Sequence, residues 1–186
     1  MELEIRKVLE LRRVERKEKS RLYSLLSEYV KELRLLIGAD ANPPSASVLF
    51  NLEDYFQDES VHSAYFLQHE GEVAGFVLVR LVPLNELIGK GGSGKILLVD
   101  EMYLTPLHRG EGYSQFVLES LLQEAERKRV PLVWHCPVAD KVMNRLFARF
   151  GNWAFRHKGF NFRVSEVELN GIPHKRYVIS LLPIEL

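Results

Sequence analysis

At 186 residues, 46% hydrophobic and 27% charged, the chain has the size and composition expected of one soluble globular domain over residues 1–186. Twenty-five Lys and Arg balance twenty-five Asp and Glu, so no net field draws the chain to nucleic acid or to an anionic membrane. The lone cysteine, Cys136, excludes an internal disulfide and a multi-cysteine metal site, and no apolar run nears the ~18 residues of a spanning helix.

Residues 2–13 alternate well enough for a strand, through Leu3, Ile5, Val8, Leu9 and Leu11. The N-terminus lacks the apolar core of a signal peptide, which points to a cytoplasmic protein, as a monomer or a small oligomer such as a homodimer. The charge run from Arg12 to Arg21 mixes both signs and reads as a solvated junction. Leu22, Leu25, Leu26, Tyr29, Val30, Leu33, Leu36 and Ile37 then keep a helical period, which Gly38 ends. After a turn-rich loop at 39–47, residues 48–56 predict a short helix. Residues 64–69 and 72–82 predict a hairpin turning at Glu70 and Gly71. A loop is expected at 83–94, a strand at 95–104, and an amphipathic helix at 114–129. Residues 131–138 predict a strand, 140–150 a helix, and 162–182 a hairpin around Asn170 and Gly171. That order describes a mixed α/β layer, not the regular alternation of a doubly wound nucleotide fold.

The stretch GKGGSGKILLVDE, from Gly89 to Glu101, contains the G-x-x-x-x-G-K spacing of a phosphate-binding loop. Such a loop needs Ser or Thr after the lysine and a helix opening directly behind it. Here Ile96 follows Lys95 and the pattern continues as a strand, so an ATPase reading is disfavoured. The required strand, glycine turn and helix occur instead at TPLHRGEGYS. Gly110 and Gly112 allow close backbone approach, and the amides from Gly110 through Glu111, Gly112 and Tyr113 to Ser114 precede a helix whose dipole favours an anion. Arg109 adds a charge-assisted contact. Taken on its glycines alone, the segment would read as an ordinary tight strand-to-helix turn.

The longer run VDEMYLTPLHRGEGYSQFVLESLLQEA resembles the acyl-CoA-binding segment of the GNAT N-acetyltransferase superfamily, with Leu104, Pro106, Arg109, Gly112 and Ser114 at the motif positions. Ser114 stands where that motif usually has Gly or Ala. The resemblance implies a mostly antiparallel sheet of six to seven strands with a V-shaped splay, flanked by about four helices. It implies acetyl-CoA as co-substrate, no metal, and an amine of a small molecule or peptide as acceptor. The pyrophosphate would rest on Arg109 to Ser114 and the pantetheine arm along Met102, Tyr103 and Leu104. Asn144 matches a position that contacts the arm or a bound water.

Amine acylation requires a base, since an alkylamine of pKa about 10.4 is protonated at neutral pH. Asp100 lies where some members carry a catalytic glutamate, and strict alternation would turn Glu101 to the opposite face. Asp100 is therefore the favoured base and Glu101 the alternative, with a loop-holding or cation-binding carboxylate equally open. The superfamily's usual acidic Tyr is absent: its position falls at Gly151, or at Phe155 by a different count. Water, Tyr103, Tyr113 or Cys136 could protonate the thiolate instead. That absence keeps a second reading alive, a catalytically reduced CoA-binding regulatory or interaction module. His135 and Cys136 face opposite ways on a strand, so neither a thiol protease nor a metal site is expected. Phe147, Phe150, Trp153 and Phe155 suit a core better than an acceptor pocket.

Overall fold

Helix α1 (Lys19–Ile37) forms on the predicted period and buries Leu22, Leu26, Val30 and Leu33 along one face. The computed structural model describes residues 9–88 and 93–181. Before α1 comes strand β1 (Leu9–Arg13); after it come the short helices α2 (Pro44–Phe50) and α3 (Asp54–Gln57). Strands β2 (His62–His69) and β3 (Glu72–Pro83) make the expected hairpin, followed by α4 (Asn85–Ile88) and β4 (Lys95–Leu104). Helix α5 (Tyr113–Lys128), strand β5 (Leu132–Pro137), helix α6 (Lys141–Lys158) and the hairpin of β6 (Asn161–Leu169) and β7 (Ile172–Ser180) complete the described chain.

The seven strands form one sheet in the order β1-β2-β3-β4-β5-β7-β6. All neighbours run antiparallel except β4 and β5. Helices α5 and α6 cover one face, where Val117, Leu118 and Leu121 meet Val77, Leu97, Trp134, Phe147, Phe150 and Tyr177. Helix α1 covers part of the other, with Leu22, Leu26 and Val30 against Phe66, Phe76 and Leu78. Phe147 and Phe150 pack on the Trp134 ring at 5.3 and 6.4 Å, as core residues, whereas Phe155 is 57% exposed.

Several boundaries differ from the sequence reading for local reasons. Pro44 sits in the first turn of α2 and starts that helix early, and the expected single helix over 48–56 is split into α2 and α3. Helix α4 occupies part of the expected loop. Helix α6 continues past Phe150 to Lys158, where Gly159 ends it in the left-handed region at φ 71°. Most of the expected first strand before Leu9, and the glycine stretch 89–92, lie outside the described residues. No helix opens after Lys95, where β4 begins, so the structural context of a nucleotide phosphate loop is not met there.

Candidate active site

The site begins where the two parallel strands part. Strands β4 and β5 are paired only at Leu97 with Leu132, Leu98 with Val133 and Val99 with Trp134. Beyond those pairs β4 stays with β3, through Phe76 with Tyr103 and Gly75 with Leu104, while β5 stays with β7. Gly75 is required by this closeness: a Cβ there would lie 2.1 Å from the Tyr103 carbonyl oxygen. From Asp100 onward, the edge of β4 toward β5 carries no strand partner.

A β-bulge falls at the same point. Leu78 pairs with Glu101 and Val79 with Val99, leaving Asp100 as the extra residue. The side-chain parity of β4 therefore shifts midway. Leu97, Val99, Met102 and Leu104 face the α5–α6 core, while Leu98, Asp100, Glu101 and Tyr103 face the other side. The expectation that only one of the adjacent carboxylates could face the slot is thereby corrected. Both do, because the bulge suspends strict alternation.

Two cavities open on this region. The larger, about 1370 Å³, runs along Met102–Leu104, the turn at Arg109–Ser114 and the α6 side chains Met143, Arg149 and Trp153. The smaller, about 460 Å³, lies between α2–α3, the end of β4, and the β5 and β7 strands. It is lined by Ser45, Asp54, Tyr55, Arg80, Asp100, Glu101, His135 and His174 among others. Tyr29 and Leu33 of α1 line both.

The carboxylates of the smaller cavity have different environments. Asp100 accepts from Arg80 Nε at 2.7 Å and Nη2 at 2.8 Å, and from the Tyr55 hydroxyl. That bidentate pair fully engages it. Glu101, 6% exposed, sits under Tyr29 and Ser45, which both donate to it. Burial pushes its carboxyl up to about 8, with the Asp100 charge adding to the rise and the two donors opposing it. Burial likewise holds the Tyr29 hydroxyl well above the usual phenol range, reinforced by the neighbouring Glu101 charge. Asp100→Asn is expected to lower stability by about 2 kcal/mol, because it leaves the half-buried Arg80 guanidinium facing a neutral amide. Urea unfolding of the two proteins measures this. An unchanged midpoint would show that the pair is not holding the fold.

The turn into α5 supplies a row of free donors. A short 3-10 turn at Pro106–His108 delivers Gly110 and Gly112 in positive-φ conformations of 85° and 80°. Gln115 and Phe116 amides turn back to the Gly112 carbonyl, whereas those of Gly110 through Ser114 have no backbone acceptor among the described residues. They precede a 16-residue helix, whose N-terminus favours a bound anion. Arg109 stands beside them, donating to the Leu104 carbonyl at 3.0 Å and to Glu32 at 2.7 Å.

Comparison with known families fits this geometry. The family model for the acetyltransferase (GNAT) family matches residues 22–151, from α1 to the middle of α6. The chain belongs to the GNAT family. No curated protein sequence matches it significantly. Among solved structures, the GNAT fold is shared with RimL, the ribosomal L7/L12 alpha-N-protein acetyltransferase, in complex with coenzyme A. That match has a TM-score of 0.65 at 16% identity, covering 95% of this chain and 97% of that one. A Salmonella typhimurium acetyltransferase that modifies the N-terminal serine of L7/L12 matches with TM-score 0.57 at 17% identity, covering 92% and 93%. A GNAT-family acetyltransferase from Staphylococcus aureus Mu50 gives 0.63 at 11%, covering 94% and 99%.

Of the residues picked out by sequence for the GNAT coenzyme site, Met102, Tyr103, Leu104, Arg109, Gly110, Gly112, Tyr113 and Ser114 line the larger cavity together. Glu111 and Asn144 are not among its lining residues. Asn144 instead ties three elements: it donates to the carbonyls of Pro137 and Asp140, both at 2.7 Å, and accepts from the Tyr177 hydroxyl at 2.6 Å. With both amide ends engaged, it positions α6 against β5 and β7. Cys136 lies in the α5–α6 core, its thiol pushed up by burial and facing neither cavity, so it is poorly placed to protonate a thiolate. Tyr29 was legible only as one more position in an apolar period, and nothing in the sequence marks its hydroxyl. Of the four α6 aromatics, Phe150 and Trp153 line the larger cavity, whereas Phe147 and Phe155 line neither.

Arg109 and Glu32 line the larger cavity as an ion pair. On the expectation that this turn holds the coenzyme's pyrophosphate, Glu32→Gln should tighten CoA binding about two- to five-fold, by releasing Arg109 and removing a nearby negative charge. Calorimetric titration with CoA decides it; unchanged or weaker binding would show that Glu32 does not compete for Arg109.

Proposed function

We propose that this protein transfers an acetyl group from acetyl-CoA to a primary amine of a small molecule or peptide, by direct attack in a ternary complex. One observation carries the reading: the two cavities share Tyr29 and Leu33 in their lining, beside the buried Glu101, whose carboxyl burial pushes up to about 8. The free amides of Gly110–Ser114 and Arg109 hold the pyrophosphate of the coenzyme. The open edge of β4 at Met102–Leu104 pairs with the pantetheine arm and leads the thioester into the splay. A backbone amide on that edge polarises the thioester carbonyl.

The acceptor enters through the smaller cavity, past the exposed Asp54, which attracts its ammonium form. Glu101, in its ionised form, removes one proton from the ammonium and so frees the nitrogen lone pair. The nitrogen lone pair then attacks the carbonyl carbon, and the C–S bond breaks with its electrons on sulfur. Tyr29, which burial keeps protonated, gives its hydroxyl proton to the thiolate and recovers one from Glu101. The attacking nitrogen loses its second proton to water as the intermediate collapses, so of the two protons the ammonium gives up one ends on the thiol and one in solvent, with no acid needed at position 151. Asp100, paired to Arg80, holds the bulge that presents Glu101.

Thermal unfolding with acetyl-CoA, CoA or Mg-ATP, alongside thiol release over a panel of amines, peptides and aminoglycosides, tests this. The expected result is stabilisation by both coenzyme forms, none by Mg-ATP, and thiol release with at least one amine. Stabilisation by CoA without thiol release from any amine would assign the fold a CoA-binding regulatory role instead. Stabilisation by ATP alone would overturn both.

A further inference from the structure

The smaller cavity contains two histidines whose tautomers are set by their partners. His135 on β5 accepts at Nε2 from Arg176 Nε, at 3.1 Å. A guanidinium can only donate, so Nε2 must carry the lone pair and Nδ1 the hydrogen. His174 on β7, 3% exposed, has the opposite arrangement. Its Nδ1 lies 2.7 Å from the Ile172 carbonyl oxygen, which can only accept. Nδ1 therefore carries the hydrogen, and in the neutral ring Nε2 is an acceptor.

Both rings are held neutral at pH 7. Burial lowers His135 to about 4, helped by the Arg176 and His174 charges, and burial lowers His174 against the pull of its carbonyl bond. Both line the cavity. They lie on adjacent antiparallel strands and share one sheet face, since His135 pairs with Arg176 and His174 with Pro137. Among the described residues, neither His135 Nδ1 nor His174 Nε2 has a hydrogen-bond partner.

Resting on the acceptor-cavity reading above, we propose that His135 and His174 are specificity-determining residues that read one amide-bearing unit of the acceptor. His135 Nδ1–H donates to its carbonyl, and His174 Nε2 accepts from its N–H. The acceptor class this selects is an amine next to a peptide bond, a peptide N-terminus, over a plain alkylamine or a polyamine. A residue in extended conformation presents its N–H and C=O on the same side, which suits a donor and an acceptor on one sheet face. The cavity's remaining charges favour the same class. A polyamine calls for several free carboxylates, whereas Asp100 is committed to Arg80 and Glu101 is largely protonated at pH 7. Ser45, Ser47, Asn51 and Asn170 add neutral polar lining.

The test uses CoA-saturated protein and calorimetric titration with an alanine tripeptide amide. Its ester analogue, with oxygen replacing the second residue's N–H, and n-butylamine serve as comparisons. The tripeptide is expected to bind about ten-fold or more tighter than the ester, which leaves His174 Nε2 without its donor. His174→Phe should weaken the tripeptide about ten-fold and leave the ester unchanged, and His135→Phe should weaken both peptides without affecting the alkylamine. Retained stabilisation by CoA confirms that each variant folds, and the amide-versus-ester comparison on the unaltered protein needs no variant. Equal affinity for amide and ester overturns the proposal. Thiol release, measured in parallel with acetyl-CoA, separates it from the transferase reading. Amide preference without thiol release leaves the histidine pair standing and removes the transferase. Thiol release from n-butylamine as fast as from the tripeptide does the reverse.

Discussion

Glu101→Gln is expected to cut acetyl transfer by about a hundred- to ten-thousand-fold, the usual contribution of a positioned general base, while CoA still stabilises the protein. The glutamine keeps shape and hydrogen bonding but cannot take a proton. In the unaltered protein the rate should climb as pH rises through about 8, where the Glu101 carboxyl ionises. Stability should move the other way. The folded carboxyl holds its proton to about 8, against 4.5 for a free glutamate, so between those values the unfolded chain releases a proton that the folded chain keeps. The contribution of the protonated group is complete below 4.5 and is lost as pH rises through 8. Glu101→Gln has no such dependence. Relative to the unaltered protein it should gain on the order of 4 kcal/mol between pH 4 and pH 9. Rate profiles and urea unfolding at several pH values check both signs together. A variant that retains its rate, or gains nothing at alkaline pH, would remove Glu101 from the proposed role.

The second large effect concerns the missing tyrosine. Gly151→Tyr restores the residue type expected by resemblance, yet it is expected to destabilise the fold by about 3 kcal/mol or more rather than to accelerate transfer. A Cβ at Gly151 would lie 2.1 Å from the Phe162 ring, which is itself stacked over Tyr177 at 6.4 Å. Glycine to alanine in a helix interior ordinarily stabilises by up to about 1 kcal/mol, so even Gly151→Ala should reverse the usual sign. Phe162→Ala alone should also destabilise, by lost packing, but combined with Gly151→Tyr it should recover part of the loss. Thermal melts of the four proteins close this cycle. A Gly151→Tyr protein as stable as the original, and faster, would show that the position is open to the site after all.

The two effects share a cause. In α6 the place of the expected acid is filled from β6, and the ionisable groups lie on the other side of the splay, on β4 and α1. Sequence reasoning located the turn with the free amides because a strand, two glycines, an arginine and a helix follow one another within a few residues, and local order suffices to fix their relation. It reached the carboxylate pair through the resemblance, preferring Asp100 at the place of some members' catalytic glutamate and taking strict alternation to turn Glu101 away. The bulge at Asp100 is set by the pairing of β4 with β3, a contact between residues 20 or more apart in the chain. The paired partners of Asp100, Arg80 and Tyr55, come from β3 and α3, and no local pattern connects them.

By itself, the sequence determined the order and type of the main elements, the sheet-and-helix layering, the glycine turn at Arg109–Ser114 that opens a helix, and the rejection of the glycine stretch before Lys95 as a nucleotide loop. Those features depend on periodicity, turn chemistry and nearest-neighbour geometry, which act over one or two turns of chain. Only the tertiary structure decided that Asp100 is tied to Arg80 while Glu101 is buried with a raised pKa, that Tyr29 stands where two cavities meet, and that Asn144 braces α6. It alone set the opposite tautomers of His135 and His174. Charge state and hydrogen-bond direction depend on burial and on partners brought from distant strands, and those arise only once the sheet has closed around them.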